Sequence, residues 1–421
     1  MINQDYFRNK EITVIGLGRS GLACANLLSS AGAKVSVTEK EDNLQLRDYA
    51  RKLDSSIRRE LGGHSKEFIQ ARDLIVTSPG VEDDSPALVW ARQMGIIVIS
   101  EIECAWALCP ASLIAITGTN GKTTTTTLIG KVLEESGRKA FTLGNIGIPF
   151  SAQVAGMQSE DFVSLEVSSF QLETIKSFKP AISVILNFSP DHLDRYPDID
   201  AYLTAKSRIF MNQDAADYLV LNYDDVVVRG LARKSNAKVV YFDQKTHFNP
   251  NFAAVVAVAS ILGIDRNLCE DVFGRFPGLP HRLEQVAQFQ QREFINDSKA
   301  TNLDAVAFAL KSIHSDVILI AGGKDKGSDY TRIKDLVRSK ARSLIVIGEA
   351  RNKIKQALGA SLPVREASGL REAVEFAFQA SRPGDCILLS PMCSSFDMFR
   401  NYEHRGEVFK KAVYELPCRL K

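Results

Sequence analysis

The sequence predicts an α/β protein of three consecutive domains, each built on a mainly parallel sheet. Three observations predict it. Short β-branched runs alternate with helical patterns along the whole chain, which is the signature of βαβ units. Two glycine-rich segments, beginning at Gly16 and at Gly118, each follow a strand pattern and open a helix. The run Phe276-Pro-Gly-Leu-Pro280 breaks helix and strand alike and reads as a linker.

The elements follow in order. In the first block Ile12–Ile15, Lys34–Val37, Leu74–Thr77 and Ile96–Ile99 read as strands, with helices over Gly21–Ser30 and Ala87–Met94. Ser85-Pro86 supplies an N-cap and a proline at the first helical position of the latter. This block, residues 1–103, is expected to be a Rossmann-like domain. In the second, residues 104–279, Leu113–Thr117, Phe162–Val167 and Ala181–Asn187 read as strands, and a helix runs to about Ser136. Phe252–Leu262 has Ala and Val on every side and reads as a buried helix. In the third, residues 280–421, Glu293–Ile295, Val317–Ala321, Leu344–Ile347 and Cys386–Leu389 are strands, with helices at Leu303–Ser312 and Leu370–Ala380. This block too is expected to be Rossmann-like.

Composition bounds the function. Of 421 residues 45% are hydrophobic and 24% charged, the balance of a globular chain that buries several cores. Lys plus Arg is 52 against 50 for Asp plus Glu, a net charge of +2, which argues against a protein built to coat nucleic acid or an anionic membrane. Seven scattered cysteines form no CxxC pair, and with six histidines they give no zinc-ligand spacing, so reduced thiols in a cytoplasmic protein are expected. The polar start MINQDYFRNKEI lacks the apolar stretch of a signal peptide, and no apolar run reaches the ~20 residues of a membrane span.

The segment Ile114-Ala-Ile-Thr-Gly-Thr-Asn-Gly-Lys-Thr-Thr124 reads as a shortened P-loop. Its glycines let successive N–H groups curl around a phosphate, and the helix start adds partial positive charge. Lys122 can reach the β- and γ-phosphates of ATP and Thr123 can ligate Mg²⁺. The central block is thus a P-loop ATPase-like parallel sheet. Glu166 closes an apolar strand of the same sheet, where a carboxylate faces the ligand crevice. Taken alone, Glu166 reads as an ordinary edge residue, Asp191-His192 as a solvated turn and Lys206 as a surface lysine.

Val14-Ile-Gly-Leu-Gly-Arg-Ser-Gly21 is GxGxxG between a strand and a helix, and Glu39 ends the next strand. That pattern suits a dinucleotide, with the acid on a ribose, so an NAD-dependent dehydrogenase is one reading. A nucleotide sugar also carries a pyrophosphate, and a second phosphate loop is of no use to a dehydrogenase. A nucleotide-binding switch, or an enzyme-like protein without activity, is a third reading. It would need losses at the reactive positions, which are intact.

Together the motifs resemble those of the Mur ligase family of ATP-dependent amide-bond ligases. They are Gly118-Thr-Asn-Gly-Lys-Thr-Thr124, Glu166-Val-Ser-Ser-Phe-Gln-Leu-Glu173, Asp191-His-Leu-Asp-Arg-Tyr-Pro197, Ala205-Lys-Ser-Arg208, Gly278-Leu-Pro-His-Arg-Leu-Glu284, Asn296-Asp-Ser-Lys-Ala-Thr-Asn302 and Leu389-Ser-Pro-Met-Cys-Ser-Ser-Phe-Asp397. They span nearly the full chain in the family's order. Asn296-Asp-Ser-Lys-Ala-Thr301 is similar to the members that add D-glutamate to UDP-N-acetylmuramoyl-L-alanine in peptidoglycan synthesis, and the Asp-Asn-Pro-Arg motif of diaminopimelate-adding members is absent.

The resemblance implies roles. Arg19, Ser20, Glu39, Lys40 and Ser78, with Asn145 and Gln171, would hold the UDP-sugar substrate. Gly118, Thr119, Asn120, Gly121, Lys122, Thr123, Thr124, Asn251, His281, Arg282 and Asp297 would contact ATP. Lys299, Thr301, Lys326, Ser395, Phe396 and Tyr402 would form the D-glutamate pocket, with Lys324 competing for the role of Lys326. Lys122, Glu166, His192 and Lys206 would be catalytic. Two Mg²⁺ ions would be held by Thr123, Glu166, His192 and a carbamate on Lys206, since an ammonium cannot ligate a cation. ATP would phosphorylate the L-alanine carboxylate and the D-glutamate amine would attack the acyl phosphate. Its partners are small molecules, a monomer is expected, and domain closure on ligand binding is expected.

Overall fold

The computed structural model describes residues 5–145, 147–192 and 195–419. The chain folds into two units, each with its own core. One runs to Phe188 and resumes over Asp200–Arg275; the other comprises Ser189–Ile199 and the chain from Phe276 on. The segment Ser189–Ile199 thus belongs with the last unit, although in sequence it interrupts the central block.

The first unit carries two parallel sheets. One has β1 (Glu11–Ile15), β2 (Lys34–Glu39), β3 (Arg58–Leu61), β4 (Leu74–Thr77) and β5 (Val98–Ser100) in the order β3-β2-β1-β4-β5. The other has β6 (Ser112–Thr117), β7 (Ala140–Gly144), β8 (Phe162–Glu166), β9 (Ile182–Ile185), β10 (Tyr218–Asn222) and β11 (Lys238–Phe242) in the order β11-β10-β9-β6-β8-β7. In both, the glycine-rich loop follows the strand at which the order reverses, so both loops sit at the carboxyl edge of a switch point, where open α/β sheets bind ligands.

The helix Glu101–Leu108 runs through the expected boundary at Glu103 and ties the two sheets together. Ile102 and Ala105 from it, and Leu27 from the helix Arg19–Ser30, share one core with Phe150, Phe178 and Leu165. Two buried carboxylates on the same helix cap neighbouring loops. Glu101 accepts from the N–H and hydroxyl of Ser151 (2.8 and 2.6 Å). Glu103 accepts from three successive N–H groups, of Lys176, Ser177 and Phe178 (3.0, 2.7 and 2.9 Å). Bonds of this charge-assisted kind are worth ~1.5–3 kcal/mol each, and they satisfy N–H groups that would be costly to bury unpaired.

The second unit holds β12 (Glu284–Phe289), β13 (Arg292–Asn296), β14 (Val317–Gly322), β15 (Ala341–Ile347), β16 (Val364–Glu366) and β17 (Cys386–Leu389) in the order β12-β13-β17-β14-β15-β16. β14 is buried on both faces. Val317, Leu319 and Ala321 pack with the helix Leu303–Ser312, and Ile318 and Ile320 with the helix Leu370–Ala380. This sheet is mixed rather than wholly parallel, because β12 runs antiparallel to β13. A two-residue turn, Gln290-Gln291, joins them with φ of 47° and 59°, the double positive φ of a type I′ hairpin.

Candidate active site

The amino-terminal glycine loop is shaped by contacts that only glycine permits. Gly16 has φ 91°, and a Cβ on Gly21 would lie 1.9 Å from the carbonyl oxygen of Gly16. Ser78 donates its hydroxyl to that carbonyl at 2.9 Å. Glu39 accepts from the N–H of Leu17 at 2.7 Å and from that of Glu41 at 3.1 Å, so its carboxylate braces two loops. The loop opens onto a cleft of about 670 Å³. All seven residues expected to hold the UDP-sugar, Arg19, Ser20, Glu39, Lys40, Ser78, Asn145 and Gln171, line it. Arg19 donates to Gly147 O at 3.0 Å, which links the two sheets across the cleft. Gln171 caps its own helix, its Oε1 accepting from Ser168 N at 2.9 Å. His64 also lines this cleft and was given no role by its motif context. Its place just past β3, after Gly62-Gly63, is the available sequence signal.

The phosphate loop lies in the same unit. Gly118 has φ 152° and Gly121 has φ 84°, and Gly121 is the N-cap of the helix Lys122–Glu135. A Cβ on Gly121 would strike Asn251 Oδ1 at 2.1 Å, so Asn251 stands against the phosphate loop. Lys122 donates to the carbonyls of Gly118 and Thr119, each at 2.9 Å. Lys206 is 2% exposed and donates to the same Gly118 oxygen at 2.9 Å, with its ammonium 4.5 Å from the Tyr202 ring centroid. It is not the surface lysine of the bland reading.

Glu166 is likewise 2% exposed. Its Oε1 accepts from Asn145 Nδ2 at 2.9 Å, while Oε2 is buried with no hydrogen-bond partner. An uncompensated carboxylate oxygen next to a phosphate loop is a hard donor suited to Mg²⁺. Thr123 stands on the first turn of the loop's helix. Among the described residues no three His, Cys, Asp or Glu side chains gather as a preformed metal site. The donor set therefore fits an ion held jointly with phosphate oxygens and water, the usual habit of Mg²⁺.

In the second unit a cavity of about 310 Å³ is lined by His192, Lys299, Thr301, Lys324, Asp325, Lys326, Ser394, Ser395, Phe396 and Tyr402. These include all six residues expected to hold the amino acid, and both candidate lysines. Lys299 lies 3.8 Å from the Tyr402 ring centroid. Lys326 pairs with Asp191 at 3.4 Å. Burial would push the Asp191 carboxyl up. The charges of Lys326 and His192 and hydrogen bonds from Asn302 Nδ2 and His192 N outweigh it and hold the group below the usual range. Asn302 also caps the helix Leu303–Ser312 through Oδ1, so one side chain starts the helix and orients Asp191. His192 has φ 57°, a strained conformation for a non-glycine residue.

Two residues that shape this cavity, one lining it and one behind it, escaped the sequence. Asp325 accepts from Gly327 N and from Tyr330 Oη and pairs with Lys353, which shapes the loop bearing Lys324 and Lys326. Arg405 has no exposed surface; it donates to Ser298 Oγ, Ser298 O, Cys393 O and Ser394 O at 2.8–3.2 Å. It thereby ties together the chain segments that carry Lys299 and Ser395. Burial lowers its pKa to about 10, so it stays charged. Neither residue announces this in a pattern.

The remaining ATP candidates also lie in this unit. Asp297 accepts from Ser390 Oγ at 2.9 Å and Leu283 N at 3.2 Å, and burial raises its pKa to about 7. His281, at φ 64°, meets the Asn296 amide at 2.9 Å through Nδ1, and burial lowers its pKa. With His281 and Leu283 both at positive φ, the backbone around Arg282 is held by Glu284, which accepts from His281 N, and by Asp297.

Fold and phosphate loop define the chain as a P-loop α/β protein. Residues 10–100 match the MurD-like N-terminal domain of Mur ligases, 116–260 the Mur ligase middle domain and 281–393 the Mur ligase glutamate ligase domain. The UDP-N-acetylmuramoylalanine–D-glutamate ligase of Geotalea uraniireducens is 42% identical, with 97% of this chain and 98% of the relative covered. That of Chlorobaculum parvum is 39% identical, with 99% of each covered. The chain belongs to the Mur ligase family, which sets aside the dehydrogenase reading of the amino-terminal loop. Two solved structures share the fold. The UDP-N-acetylmuramate–alanine ligase of Thermotoga maritima has a TM-score of 0.63 at 19% identity, with 97% of this chain and 100% of that one covered. The MurF ligase of Thermotoga maritima in complex with ADP has a TM-score of 0.62 at 14% identity, with 99% and 98% covered. No helix among the described residues is long and apolar enough to cross a membrane.

Proposed function

We propose that this chain is a cytoplasmic, monomeric ligase that uses ATP to join D-glutamate to UDP-N-acetylmuramoyl-L-alanine for peptidoglycan synthesis, with 1–103, 104–279 and 280–421 as its UDP-sugar, ATP and amino-acid domains. The observation that carries the reading is the second-unit cavity. Three lysines and the hydroxyls of Thr301, Ser394 and Ser395 surround about 310 Å³; Asp325 among them is paired with Lys353, and Lys326 with Asp191. That is a site for a small dianion. The relatives' shared name agrees with it.

A carboxylate does not react with an amine at neutral pH, because its leaving group is too poor. Transfer of the γ-phosphoryl group of ATP to the L-alanine carboxylate makes an acyl phosphate and releases ADP. The amine then attacks the carbonyl, loses a proton, and phosphate departs from the tetrahedral adduct. Phosphoryl transfer between anions depends on positioning and charge neutralisation. Lys122 supplies a cation at the loop, and its N–H neighbours cradle the phosphates. Arg282, His281 and Asp297 would orient the nucleotide. Lys299 and Lys326 fix the two acceptor carboxylates, which sets the amine on one stereochemical face. Thr123, Glu166, His192 and a carbamate on Lys206 would hold two Mg²⁺ ions, which would supply charge neutralisation. Burial of Lys206 beside Lys122 supports the carbamate, which turns a second crowded cation into an anionic ligand.

The test is phosphate release from ATP with Mg²⁺ and UDP-N-acetylmuramoyl-L-alanine against a panel of amino acids. D-glutamate gives the fastest release; a faster rate with L-glutamate, L-lysine or diaminopimelate overturns the assignment.

A further inference from the structure

We propose that Lys353, which stands outside the second-unit cavity, is a positioning residue for the acceptor: it holds the charge of Asp325 and so keeps the one carboxylate of the lining from repelling a dianion. The inference rests on the reading of that cavity as the amino-acid site. A pocket for a small dianion calls for cations and hydroxyls, and Lys299, Lys324, Lys326 and the lining hydroxyls meet that need. Asp325 does not. It sits between Lys324 and Lys326 in the loop after β14. Among the described residues it is the one carboxylate that lines the cavity.

That carboxylate is both fixed and ionised. Its Oδ1 accepts from Tyr330 Oη at 2.9 Å and from Gly327 N at 3.1 Å, and its Oδ2 accepts from Lys353 Nζ. Tyr330 is buried, and burial above all pushes its phenol up, so it keeps its proton. The single proton goes to Asp325, so Cys393, whose Sγ lies 3.2 Å from the same oxygen, donates its S–H to Tyr330. Burial would raise the Asp325 carboxyl, but the bonds from Lys353, Tyr330 and Gly327 N and the charge of Lys353 hold it below the usual range. The loop backbone is held too, Lys324 N donating to Ser394 O at 3.0 Å. A permanent negative charge therefore stands in the wall. Lys353 comes to it from the first turn of the helix Arg351–Leu358, with its side chain 65% exposed against 10% for Asp325. A pair with one partner so exposed adds little to stability. Its effect is on the field inside the cavity. Without Lys353, Asp325 would repel each carboxylate of the acceptor and compete with it for the ammonium groups of Lys324 and Lys326.

The experiment measures phosphate release by the full chain with ATP, Mg²⁺ and UDP-N-acetylmuramoyl-L-alanine saturating and D-glutamate varied. Lys353→Met should raise the KM for D-glutamate ~5-fold or more and leave kcat and the KM for ATP unchanged, as expected for a lost charge near the substrate. Lys353→Arg keeps the cation and should stay within ~2-fold of the wild type. Asp325→Asn keeps an oxygen for Gly327 N and Tyr330 and removes the charge. Placed in the Lys353→Met background it should return the KM to the wild-type value or below, a reversal that a merely structural lysine would not give. The effect of Lys353→Met should also shrink between about 0.05 M and about 0.5 M salt, because screening weakens the repulsion. An unchanged KM in Lys353→Met overturns the inference, as does a rise that Asp325→Asn fails to reverse. Should the double variant not fold, a rise in KM that is independent of salt overturns it equally. If the wild type shows no saturable response to D-glutamate, the reading of the cavity itself falls and this inference with it.

Discussion

Lys122 and Lys206 aim their ammonium groups at one backbone oxygen, the carbonyl of Gly118, each from 2.9 Å. The two nitrogens are therefore no more than twice that distance apart. Unit charges so placed repel by roughly 3 kcal/mol at an effective dielectric near 20. The arrangement is suited to a loop that awaits several phosphate charges. It also makes the loop's two cations separable by experiment, because they are held by the same acceptor and assigned different work.

Lys122→Ala should abolish turnover and leave the fold intact. The lysine contacts the transferring phosphoryl group in the proposed reaction, and contacts of that kind are worth ~10³-fold or more in rate. Circular dichroism and thermal melting should match the wild type while phosphate release falls to background. A rate within tenfold of the wild type would mean that the phosphate loop is not the site of transfer.

Glu166→Gln keeps the shape of the side chain and its bond from Asn145, but replaces the unpartnered Oε2. Burying that oxygen without a partner costs stability. The variant is therefore expected to melt at or above the wild-type temperature while turnover drops by ~10³-fold, a split that a purely structural carboxylate would not give. Titrating Mg²⁺ in the same assay should show a weaker metal dependence. A variant with lowered stability and normal turnover would contradict the assignment.

Asp297 makes the apo protein sensitive to pH. Its pKa is about 7 in the fold, chiefly through burial, against 3.8 for an ordinary aspartate. Near pH 4 the folded and unfolded chains both hold much of the proton. Between about 4 and 7 the unfolded chain releases it and the folded chain keeps it, so this group's contribution to stability falls as pH rises; above 7 the penalty is constant. The full penalty is on the order of 4 kcal/mol. Asp297→Asn should therefore stabilise the apo protein little at pH 4.5 and by a few kcal/mol at pH 8, measured by urea unfolding at both pH values. Its amide can still accept from Leu283 and donate to Ser390. An equal effect at the two pH values would show that Asp297 does not titrate in this range.

Much of this fold was legible because periodicity and punctuation agree. β1, β4, β6, β8, β14 and β17 are short apolar runs ending at glycine, serine or acid residues, and each lies where the sequence places it to within a residue or two. Of the edge strands, β5 was read as Ile96–Ile99 and the others were not. β3 reads Arg-Arg-Glu-Leu and β16 Val-Arg-Glu, polar because an edge strand faces water. The β12–β13 hairpin turns on Gln290-Gln291, which lacks the Asn-Gly or Asp-Gly signal, so the antiparallel strand of the third sheet went unread. Among site residues the split is of the same kind. Glycines and lysines in a loop advertise a phosphate, whereas Arg405 and Asp325 act through tertiary hydrogen bonds to backbone that no local pattern encodes.

Lys206 gives the sharpest division between a bland and a functional reading. A solvated lysine could be replaced for less than ~0.5 kcal/mol with no change in rate. This lysine is 2% exposed and bonded to the phosphate loop. As a carbamate it would present two oxygens to Mg²⁺ instead of a second cation to the phosphates. Lys206→Ala should then lower both metal affinity and turnover, and small carboxylates such as formate or acetate should restore part of the rate by occupying the vacated space. Lys206→Arg keeps a cation of similar reach but takes up no CO₂, so it should be as inactive as the alanine variant and show no response to formate. Phosphate release for the three proteins, with and without formate, separates the cases, and mass spectrometry of the native wild type under bicarbonate reads the added CO₂ directly. An active Lys206→Arg enzyme would show that the ammonium, through its bond to Gly118, is the working form.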